Sequence, residues 1–414
     1  MLNSRWTPRQ LELAVLLALG LALFIRYPSR FIASPPFLMD FEVYRAAAER
    51  VLHGRGEQLY DPTTSEKMMF KYAPLWAVFM APLGALPKPA AAICWTSVEL
   101  LALLAALLLC GLLCRRLGFH PHPLTGLLAV LMLLRPLAEE LGNGQANLLW
   151  GALMVGFVVA EHAGRRWLAA LALSAAILLK LPALLFLPYL VLRKRWPLAG
   201  RAALIILLAG AAGALLVAPH APGSLFRGWL HALAYNTETY TFEIGNQSLV
   251  ALLSRFLTND GYGLNLLDAP RSWLVWLTLG LLGALVAALA RPWPGAAREP
   301  MRWAFDGAIL TVLMVIGSPS CWLATYTALL FPVFLALAAL AHSAAVRRVD
   351  GGSLGVSLLG LCAILLTHRK AWRLLGLTSW RGESYLFLVF MMLPWFGLML
   401  TALLWRQRRW LSRA

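Results

Sequence analysis

Long apolar runs separated by short polar loops make up most of this chain. Each run approaches the roughly 20 apolar residues that a membrane-spanning helix requires. Continuous runs such as Leu100 to Leu113 lack the alternating polarity of a spanning β-strand, which excludes a barrel. The pattern predicts an all-helical membrane protein that forms one domain, residues 1–414, with about twelve spans. The predicted spans are 11–25, 73–87, 90–114, 123–137, 146–160, 167–192, 198–219, 272–290, 303–317, 321–341, 353–367 and 385–405.

The longest polar stretch, residues 26–73, follows the first predicted span and is predicted to be the first external loop. Within it, apolar and charged residues recur at helical spacing from Phe41 to Leu52, and Gly54 follows as a terminator. Such an amphipathic helix can lie on a membrane surface. The Asp61-Pro62 pair predicts the start of a second short helix in the same loop.

Composition and charge support a membrane protein. Of the 414 residues, 60% are hydrophobic and 13% are charged, and the formal net charge is +17. A water-soluble domain of this size does not carry such a composition. The arginines stand at the ends of apolar runs, where orientation signals occur, which argues against nucleic-acid binding. Thirty arginines against six lysines are typical of a GC-rich genome and favour a bacterial plasma membrane.

The positive-inside rule orients the second half of the chain. Its arginine clusters are predicted on the cytoplasmic side, so the loops 220–247 and 255–270 are expected on the other face, where they can close over a shared cavity. The first half allows two arrangements. Simple alternation puts Arg115 and Arg165 outside. They lie inside if 73–114 crosses once and 167–192 folds as two short helices.

Asp40 and Lys180 are the charged residues best placed for chemistry. A carboxylate at the membrane surface can take a proton from a reacting hydroxyl, and Asp40 also stands where an N-cap of the predicted helix belongs. Lys180 lies inside an apolar stretch, where a charge costs at least ~2.5 to 3.5 kcal/mol at the bilayer centre. Its partner is then a lipid phosphate or a carboxylate, unless the side chain snorkels to the interface.

Polar patches and aromatic residues supply groups suited to sugar recognition. Side-chain amides bond to sugar hydroxyls, and they equally form local turns and caps. The two patches are Asn143, Gln145 and Asn147, and Asn246, Gln247 and Ser248. Aromatic rings can stack on a sugar or anchor a helix at the interface. The candidates are Tyr235, Tyr240, Phe242, Trp322 and Tyr326. The histidines show no metal-ligand spacing, so no metal site is predicted.

Several short motifs occur together in the order found in one family of membrane enzymes. The segment from Met39 to Ala48, followed by Leu59-Tyr60-Asp61, resembles the first external loop of polyprenyl-phosphate-mannose-dependent glycosyltransferases with a multi-span (GT-C) fold. The resemblance is to glycosyltransferase family 87 and covers roughly residues 11–340. The other matching motifs are Tyr72-Ala73-Pro74, Gly144-Gln145-Ala146-Asn147, Lys180-Leu181-Pro182, Gly245-Asn246-Gln247-Ser248-Leu249 and Ser318-Pro319-Ser320-Cys321-Trp322.

The chain departs from the family pattern at two places. The family usually has Tyr-Pro-Pro where this chain has Tyr72-Ala73-Pro74. The family also has a histidine shortly after the tryptophan of the last motif, where this chain has Thr325. The second difference suggests a different acceptor, a different sugar or reduced activity.

The resemblance implies inverting transfer of a sugar, with mannose expected, from a polyprenyl-phosphate donor to a lipid or glycan hydroxyl at the non-cytoplasmic face. It implies neither a metal nor another cofactor, and it places the catalytic aspartate at Asp40. Glu42 then completes an Asp-x-Glu pair able to hold a divalent ion, or it pairs with Arg45 in the first helical turn. The residues expected to bind substrate are Glu42, Tyr44, Tyr72, Asn143, Gln145, Asn147, Lys180, Asn246, Gln247, Trp322 and Tyr326.

Two other functions fit parts of the sequence. A transporter or lipid flippase also needs about a dozen spans and buried charges such as Glu99 and Lys180, but it predicts paired repeats, and the sequence shows none. A catalytically inactive family member acting as an assembly partner is the second alternative, suggested by Thr325.

Overall fold

The computed structural model describes residues 7–33, 38–61, 69–259, 265–291, 299–345 and 392–411. Within these ranges the chain is helical and contains no strand, which confirms the predicted all-helical class. The helices are α1 (Pro8–Ala33), α2 (Met39–Leu52), α3 (Pro74–Gly84), α4 (Lys88–Arg116), α5 (Thr125–Met132), α6 (Leu134–Asn143), α7 (Asn147–His162), α8 (Arg166–Leu179), α9 (Phe186–Leu192), α10 (Trp196–Val217), α11 (Pro222–Tyr240), α12 (Leu249–Leu257), α13 (Arg271–Ala290), α14 (Glu299–Gly317), α15 (Leu330–Ala345) and α16 (Met392–Leu411). Short 3-10 helices occupy Gly56–Gln58, Leu181–Leu185 and Leu323–Leu329.

Six helical segments of the described ranges are long and apolar enough to cross a membrane. Glu299–Gly317 and Leu323–Ala344 are 83% buried over their most apolar windows, whereas Trp196–Val217 is 22% buried. The first two therefore form the centre of the bundle, and the third exposes its leucines as a lipid-facing helix does. The protein is thus a membrane-bound helical bundle. The remaining three segments are Gln10–Ser29, Lys88–Arg116 and Arg271–Ala290.

Several of the predicted spans are shorter helices. The run 123–137 divides between α5 and α6. Helix α3 has 11 residues, and at 1.5 Å per residue such a helix rises about 16 Å, roughly half of the hydrocarbon thickness. The predicted span 353–367 and part of 385–405 lie outside the described residues.

The predicted amphipathic helix of the first loop is present as α2. It ends at Leu52, and Gly54 follows with a φ of 68°, as a helix terminator requires. Its N-cap position belongs to Leu38, so the prediction that Asp40 caps this helix is wrong. Because α2 begins at Met39, Asp40 lies within the first turn, where the helix dipole still favours its negative charge.

The apolar side of α2 packs against α4 rather than against lipid. Phe41 stacks on Trp95 with ring centroids 6.1 Å apart, and Tyr44 meets the same indole edge-on at 5.5 Å. Both α2 side chains are fully buried. This aromatic contact holds Asp40 in a fixed position beside the bundle. The Asp61-Pro62 helix predicted in this loop falls mostly on residues outside the described ranges.

The predicted run 167–192 is broken at Lys180, in agreement with its reading as two short helices. Helix α8 ends at Leu179, and Lys180 has extended backbone angles, φ −146° and ψ 117°. Pro182 follows in the 3-10 helix and cannot donate a backbone hydrogen bond to continue α8. The break turns the Lys180 side chain into the interior of the protein.

A buried ion cluster ties three helices together at Asp306 of α14. The Asp306 carboxylate accepts a hydrogen bond from Tyr189 of α9 at 2.7 Å and lies 2.8 Å from the guanidinium Nε of Arg408 in α16. Arg302 approaches the same carboxylate at 3.4 Å. Since a buried charge needs partners, this cluster fixes α9 and α16 on the central helix.

Candidate active site

A cavity of about 380 Å³ opens among α2, α7, α8, α11, α13 and α14. Its lining has a polar part and an apolar part, here called the polar end and the apolar end. The polar lining includes Asp40, Lys71, Gln145, Lys180, Asn236 and Ser318. The apolar lining includes Leu178, Leu184, Leu279, Leu282, Leu313 and Met314. Such a cavity suits an amphiphilic molecule whose head is polar and whose tail is hydrocarbon.

Asp40 is the carboxylate at the polar end. Its Oδ2 accepts a hydrogen bond of 3.0 Å from Nε2 of Gln145. Burial raises the pKa of Asp40 above its ordinary value, while the charge of Lys71, the Gln145 hydrogen bond and the charge of Lys180 act in the opposite direction. A carboxylate with a raised pKa is a better proton acceptor than a free one, provided that it stays ionised at working pH.

Lys71 is a cavity residue that the sequence analysis missed. Its ammonium group donates a 2.9 Å hydrogen bond to Oδ1 of Asn236 on α11. Burial lowers the pKa of Lys71 to about 8, although the negative charge of Asp40 opposes this shift. One signal was available: Lys71 is one of only six lysines in the chain and immediately precedes the Tyr72 motif.

Lys180 belongs to a buried hydrogen-bond network that reaches Asp40. The Lys180 ammonium donates to Oδ1 of Asn147, and Nδ2 of Asn147 donates to Oε1 of Gln145 at 2.7 Å. The same Nδ2 donates to Oε2 of Glu140 at 2.6 Å. Three residues expected to bind substrate, Gln145, Asn147 and Lys180, are therefore brought together. Glu140 was not predicted, because a glutamate within helix α6 has no sequence feature that sets it apart.

Tyr44 and Tyr72 lie next to Asp40 and contact each other. Their hydroxyl groups are 2.7 Å apart, and their rings meet edge-on with centroids 5.0 Å apart. Tyr72 lines the main cavity, whereas Tyr44 lines a small adjoining pocket of about 30 Å³. This pocket also includes Asp40 and Lys71 and is bounded by Tyr235 of α11. Asp40 thus stands where the two spaces meet.

Asn246 does not line the cavity but holds together segments that do. Its Nδ2 donates to the carbonyls of Tyr240 and Pro319 at 2.9 and 2.6 Å, and its Oδ1 accepts from the backbone N–H of Cys321 at 3.1 Å. These bonds tie the end of α11 to the segment from Ser318 to Trp322. The predicted sugar-binding amide is committed to protein groups.

Gln247 and Tyr326 support the same segment. The backbone N–H of Gln247 donates to the carbonyl of Cys321 at 2.6 Å, and its carbonyl accepts from the Tyr326 hydroxyl at 2.8 Å. Trp322 lines the cavity and lies against Gly245, where a Cβ would stand 2.6 Å from the indole ring. Of these residues, Trp322 alone is part of the cavity lining.

Two further predicted binding residues lie away from the cavity. Glu42 is 3.6 Å from Nε of Arg45 and 3.8 Å from the ammonium of Lys88, as expected of a first-turn carboxylate. Asn143 donates to Glu139 at 3.4 Å. Among the described residues, His, Cys, Asp and Glu side chains form no group of three that could hold a metal ion.

The sequence matches the model of Glycosyltransferase family 87 over residues 70–319, which is more than half of the chain. It is 28% identical over 315 residues to a protein of Mycobacterium tuberculosis, covering 70% of this chain and 72% of the relative. A protein of Mycolicibacterium smegmatis is 26% identical over 443 residues, covering 96% of this chain and 93% of the relative. Both relatives are named polyprenol-phosphate-mannose-dependent alpha-(1-2)-phosphatidylinositol mannoside mannosyltransferases.

Proposed function

Because the chain belongs to glycosyltransferase family 87, we propose that it transfers mannose from polyprenyl-phosphate-mannose to a hydroxyl group of a lipid or glycan acceptor. The proposed fold is of the GT-C type with about twelve spans. The proposed site of reaction is the non-cytoplasmic face of a bacterial plasma membrane, where the two relatives' phosphatidylinositol mannoside is one acceptor class to try.

One observation carries the proposal: a carboxylate lies near two lysines at the polar end of an amphiphilic cavity. Asp40, Lys71 and Lys180 all line that end. Two ammonium groups attract an anionic phosphate, and their attraction is stronger in a partly buried site than in open water. Their positive charge takes the part that a metal ion has in other phosphate sites, so the proposed reaction uses neither a metal nor another cofactor.

The apolar end of the cavity suits the polyprenyl chain. Leu184 and Leu279 line the cavity and are 41% and 52% exposed. The proposed entry of the chain is between the 3-10 helix after Lys180 and α13, where these two leucines lie. A prenyl chain entering there stays in hydrocarbon while its phosphate reaches the lysines. Binding of this remote chain orients the reacting carbon.

The proposed reaction is an inverting displacement at the anomeric carbon. The acceptor hydroxyl loses its proton to Asp40 as its oxygen forms the new glycosidic bond. The bond from the anomeric carbon to the phosphate oxygen breaks, and its electron pair leaves with the polyprenyl phosphate. Lys71 and Lys180 stabilise the additional negative charge on that phosphate. The small pocket beside Tyr235 is the proposed approach of the acceptor hydroxyl to Asp40.

The test is sugar transfer by purified protein in detergent. The wild type, Asp40→Asn and Glu49→Gln are each given polyprenyl-phosphate-mannose with phosphatidylinositol mannoside or a mixed lipid extract. Asp40→Asn is expected to lower kcat by about 10²- to 10⁴-fold at unchanged Tm, the usual contribution of a general base. Glu49→Gln changes a carboxylate of the same helix that pairs with Arg45 at 2.6 Å, and it should retain wild-type transfer.

Each other outcome has a defined meaning. Equal transfer by wild type and Asp40→Asn would remove Asp40 from the chemistry. Absence of transfer by the wild type with every acceptor would favour the transporter or the inactive family member over the enzyme.

A further inference from the structure

Glu140 lies behind the cavity and is fully buried. Its Oε1 accepts hydrogen bonds from the backbone N–H groups of Asn147 and Leu148, at 2.5 and 3.1 Å, so it caps the start of helix α7. Its Oε2 accepts from Nδ2 of Asn147 at 2.6 Å. An ionised carboxylate has acceptors only, so each of these three N–H groups donates to Glu140.

That requirement fixes the orientation of the next amide. Asn147 must turn its NH₂ group towards Glu140, which leaves its carbonyl oxygen Oδ1 facing the Lys180 ammonium. Lysine has donors only, so the Lys180 side of Asn147 demands the same orientation. The second N–H of Asn147 then donates to Oε1 of Gln145.

The orientation passes on to the catalytic residue. With its oxygen bonded to Asn147, Gln145 can present only its NH₂ group to Asp40, and the two atoms are 3.0 Å apart. A donor at this place favours the ionised carboxylate over the protonated acid. The chain from Glu140 to Asp40 therefore runs in one hydrogen-bond direction throughout.

We propose that Glu140 is a positioning residue that, through Asn147 and Gln145, holds a hydrogen-bond donor on Asp40 and an acceptor on Lys180. The inference rests on the proposed function, in which Asp40 is the base and Lys180 binds phosphate. Glu140 reaches both groups although it belongs to neither side of the cavity lining. One buried carboxylate thus keeps the base ready to take a proton and directs the lysine.

The expected effect of Glu140→Gln follows from amide geometry. A glutamine NH₂ group at this place faces the Asn147 NH₂ group, and Asn147 relieves this contact by turning over. Its oxygen then no longer faces the Lys180 ammonium, so Lys180 loses this acceptor and turns away. Gln145 turns in response and offers its oxygen to Asp40, which favours the protonated acid. The acid limb of the pH profile of kcat/KM should therefore move to higher pH by about one unit, a tenfold loss of ionised Asp40 on that limb.

Other charged and titratable groups face these residues and stay in place in the variant. Lys71 and Lys180 act on Asp40, Tyr44 and Tyr72 adjoin it, and Glu99 of α4 lies near Glu140. Loss of the Glu140 charge alone would stabilise the ionised form of Asp40 and move the acid limb to lower pH. The direction of the shift therefore separates the amide mechanism from a simple charge effect.

The experiment compares Glu140→Gln with Gln145→Met, the double variant, Glu140→Asp and a control. The control is Glu161→Gln. The Glu161 side chain is 8% exposed, and its carboxylate lies 3.3 Å from the guanidinium of Arg195. Gln145→Met removes the donor from Asp40 and should itself move the acid limb to higher pH. In that background Glu140→Gln should add no further shift to higher pH, because that part of its effect passes through Gln145. Glu140→Asp should restore part of the wild-type profile.

Binding of undecaprenyl phosphate, followed as a rise in Tm, gives a readout independent of transfer. Glu140→Gln should weaken this binding about tenfold, while Glu161→Gln should bind as the wild type does. An unchanged acid limb, a shift to lower pH, or an additive shift in the double variant overturns the inference while transfer by the wild type still supports the proposed function. A wild type that neither binds nor transfers overturns both.

Discussion

At the scale of single residues, Lys71 and Lys180 approach the cavity from distant parts of the chain and differ in their partners. Lys180 is bonded to Asn147, which orients it. Lys71 is bonded to Asn236 of α11, close to Asp40 and to the small pocket beside Tyr235. The two ammonium groups therefore have separable roles, one fixed by the amide network and the other linked to α11.

Lys71→Met is expected to raise the KM for polyprenyl-phosphate-mannose roughly 10- to 100-fold, the usual value of one charged hydrogen bond. The matched control is Lys88→Met, which removes a lysine that is 58% exposed and 3.8 Å from Glu42. Steady-state kinetics at varied donor concentration check the prediction. A KM for the donor that is equal in the two variants would remove Lys71 from phosphate binding.

The same contact has a pH dependence with a definite sign. Burial lowers the pKa of Lys71 to about 8, so the side chain is charged below that pH and neutral above it. Only the charged form attracts phosphate, so donor affinity should fall as pH rises through about 8. Lys71→Met should lose this pH dependence and bind the donor equally weakly below and above pH 8.

The sequence indicated some of these residues because their type conflicts with their surroundings. Lys180 in an apolar run stands out in this way, whereas Asp40 was singled out by the family resemblance, and the structure puts both at one cavity. Lys71 and Glu140 were missed because a charged residue in a polar loop or an ordinary helix is normal there. Asn246 was predicted to bind sugar, but a sequence does not reveal that its amide is already used by Pro319 and Cys321.

At the scale of elements, the turn between α6 and α7 packs closely against the start of α2. Gly144 has a φ of 65°, and a Cβ there would stand 2.8 Å from Cβ of Phe41. Its carbonyl also accepts a 2.8 Å hydrogen bond from the Trp95 indole N–H. The close approach of this turn thus determines how far α2, and with it Asp40, lies from Gln145.

Gly144→Ala should therefore lower both stability and activity. A left-handed alanine costs about 1 to 2 kcal/mol by itself, and the contact with Phe41 adds to this cost. Gly164→Ala is the control, since Gly164 has a φ of 71° and a Cβ added there would meet nothing within 4 Å. Displacement of Asp40 by about 1 Å should lower kcat near 10²-fold in Gly144→Ala only. Thermal unfolding and transfer assays distinguish the two variants.

If both variants lose equal stability and retain equal kcat, the contact between the turn and α2 has no part in placing Asp40. The helix itself was predictable, because its apolar spacing and Gly54 define it from Phe41 to Leu52. Its first residues were not, because no residue type marks Leu38 as the left-handed N-cap. The break at Lys180 was foreseen as one of two alternatives, since Pro182 interrupts a run that hydropathy alone joins.

At the scale of the whole molecule, apolar character does not separate spanning helices from short helices buried in the bundle. Both kinds are rich in leucine and alanine, and the difference lies in length. The 16-residue α7 is apolar from Leu148 to Ala160 but rises only about 24 Å in all. Packing against neighbouring helices, which a single sequence does not display, decides how such short helices are stacked. Hydropathy alone therefore does not separate the short helices from the long ones, of which the described ranges contain six.

The mixed character of the cavity also belongs to this scale, because polar residues of α2 and α11 and apolar residues of α13 and α14 line it together. Leu279 of α13 lines the cavity and is 52% exposed, whereas Leu277, two residues away, is 45% exposed and outside the lining. Leu279→Trp should narrow the opening through which a prenyl chain passes. Leu277→Trp adds the same bulk at the lipid-facing surface without entering the cavity.

The two variants are compared with donors of different chain length. With a long polyprenyl-phosphate-mannose, Leu279→Trp should raise the KM about tenfold, since the chain loses apolar contacts at the apolar end of the cavity. With a donor of only two isoprene units, whose chain ends before the opening, the same variant should act like the wild type. Leu277→Trp should be normal with both donors. A KM increase that is the same for long and short donors would show that the chain takes another route, and that the exposed leucines are merely part of the lipid-facing surface.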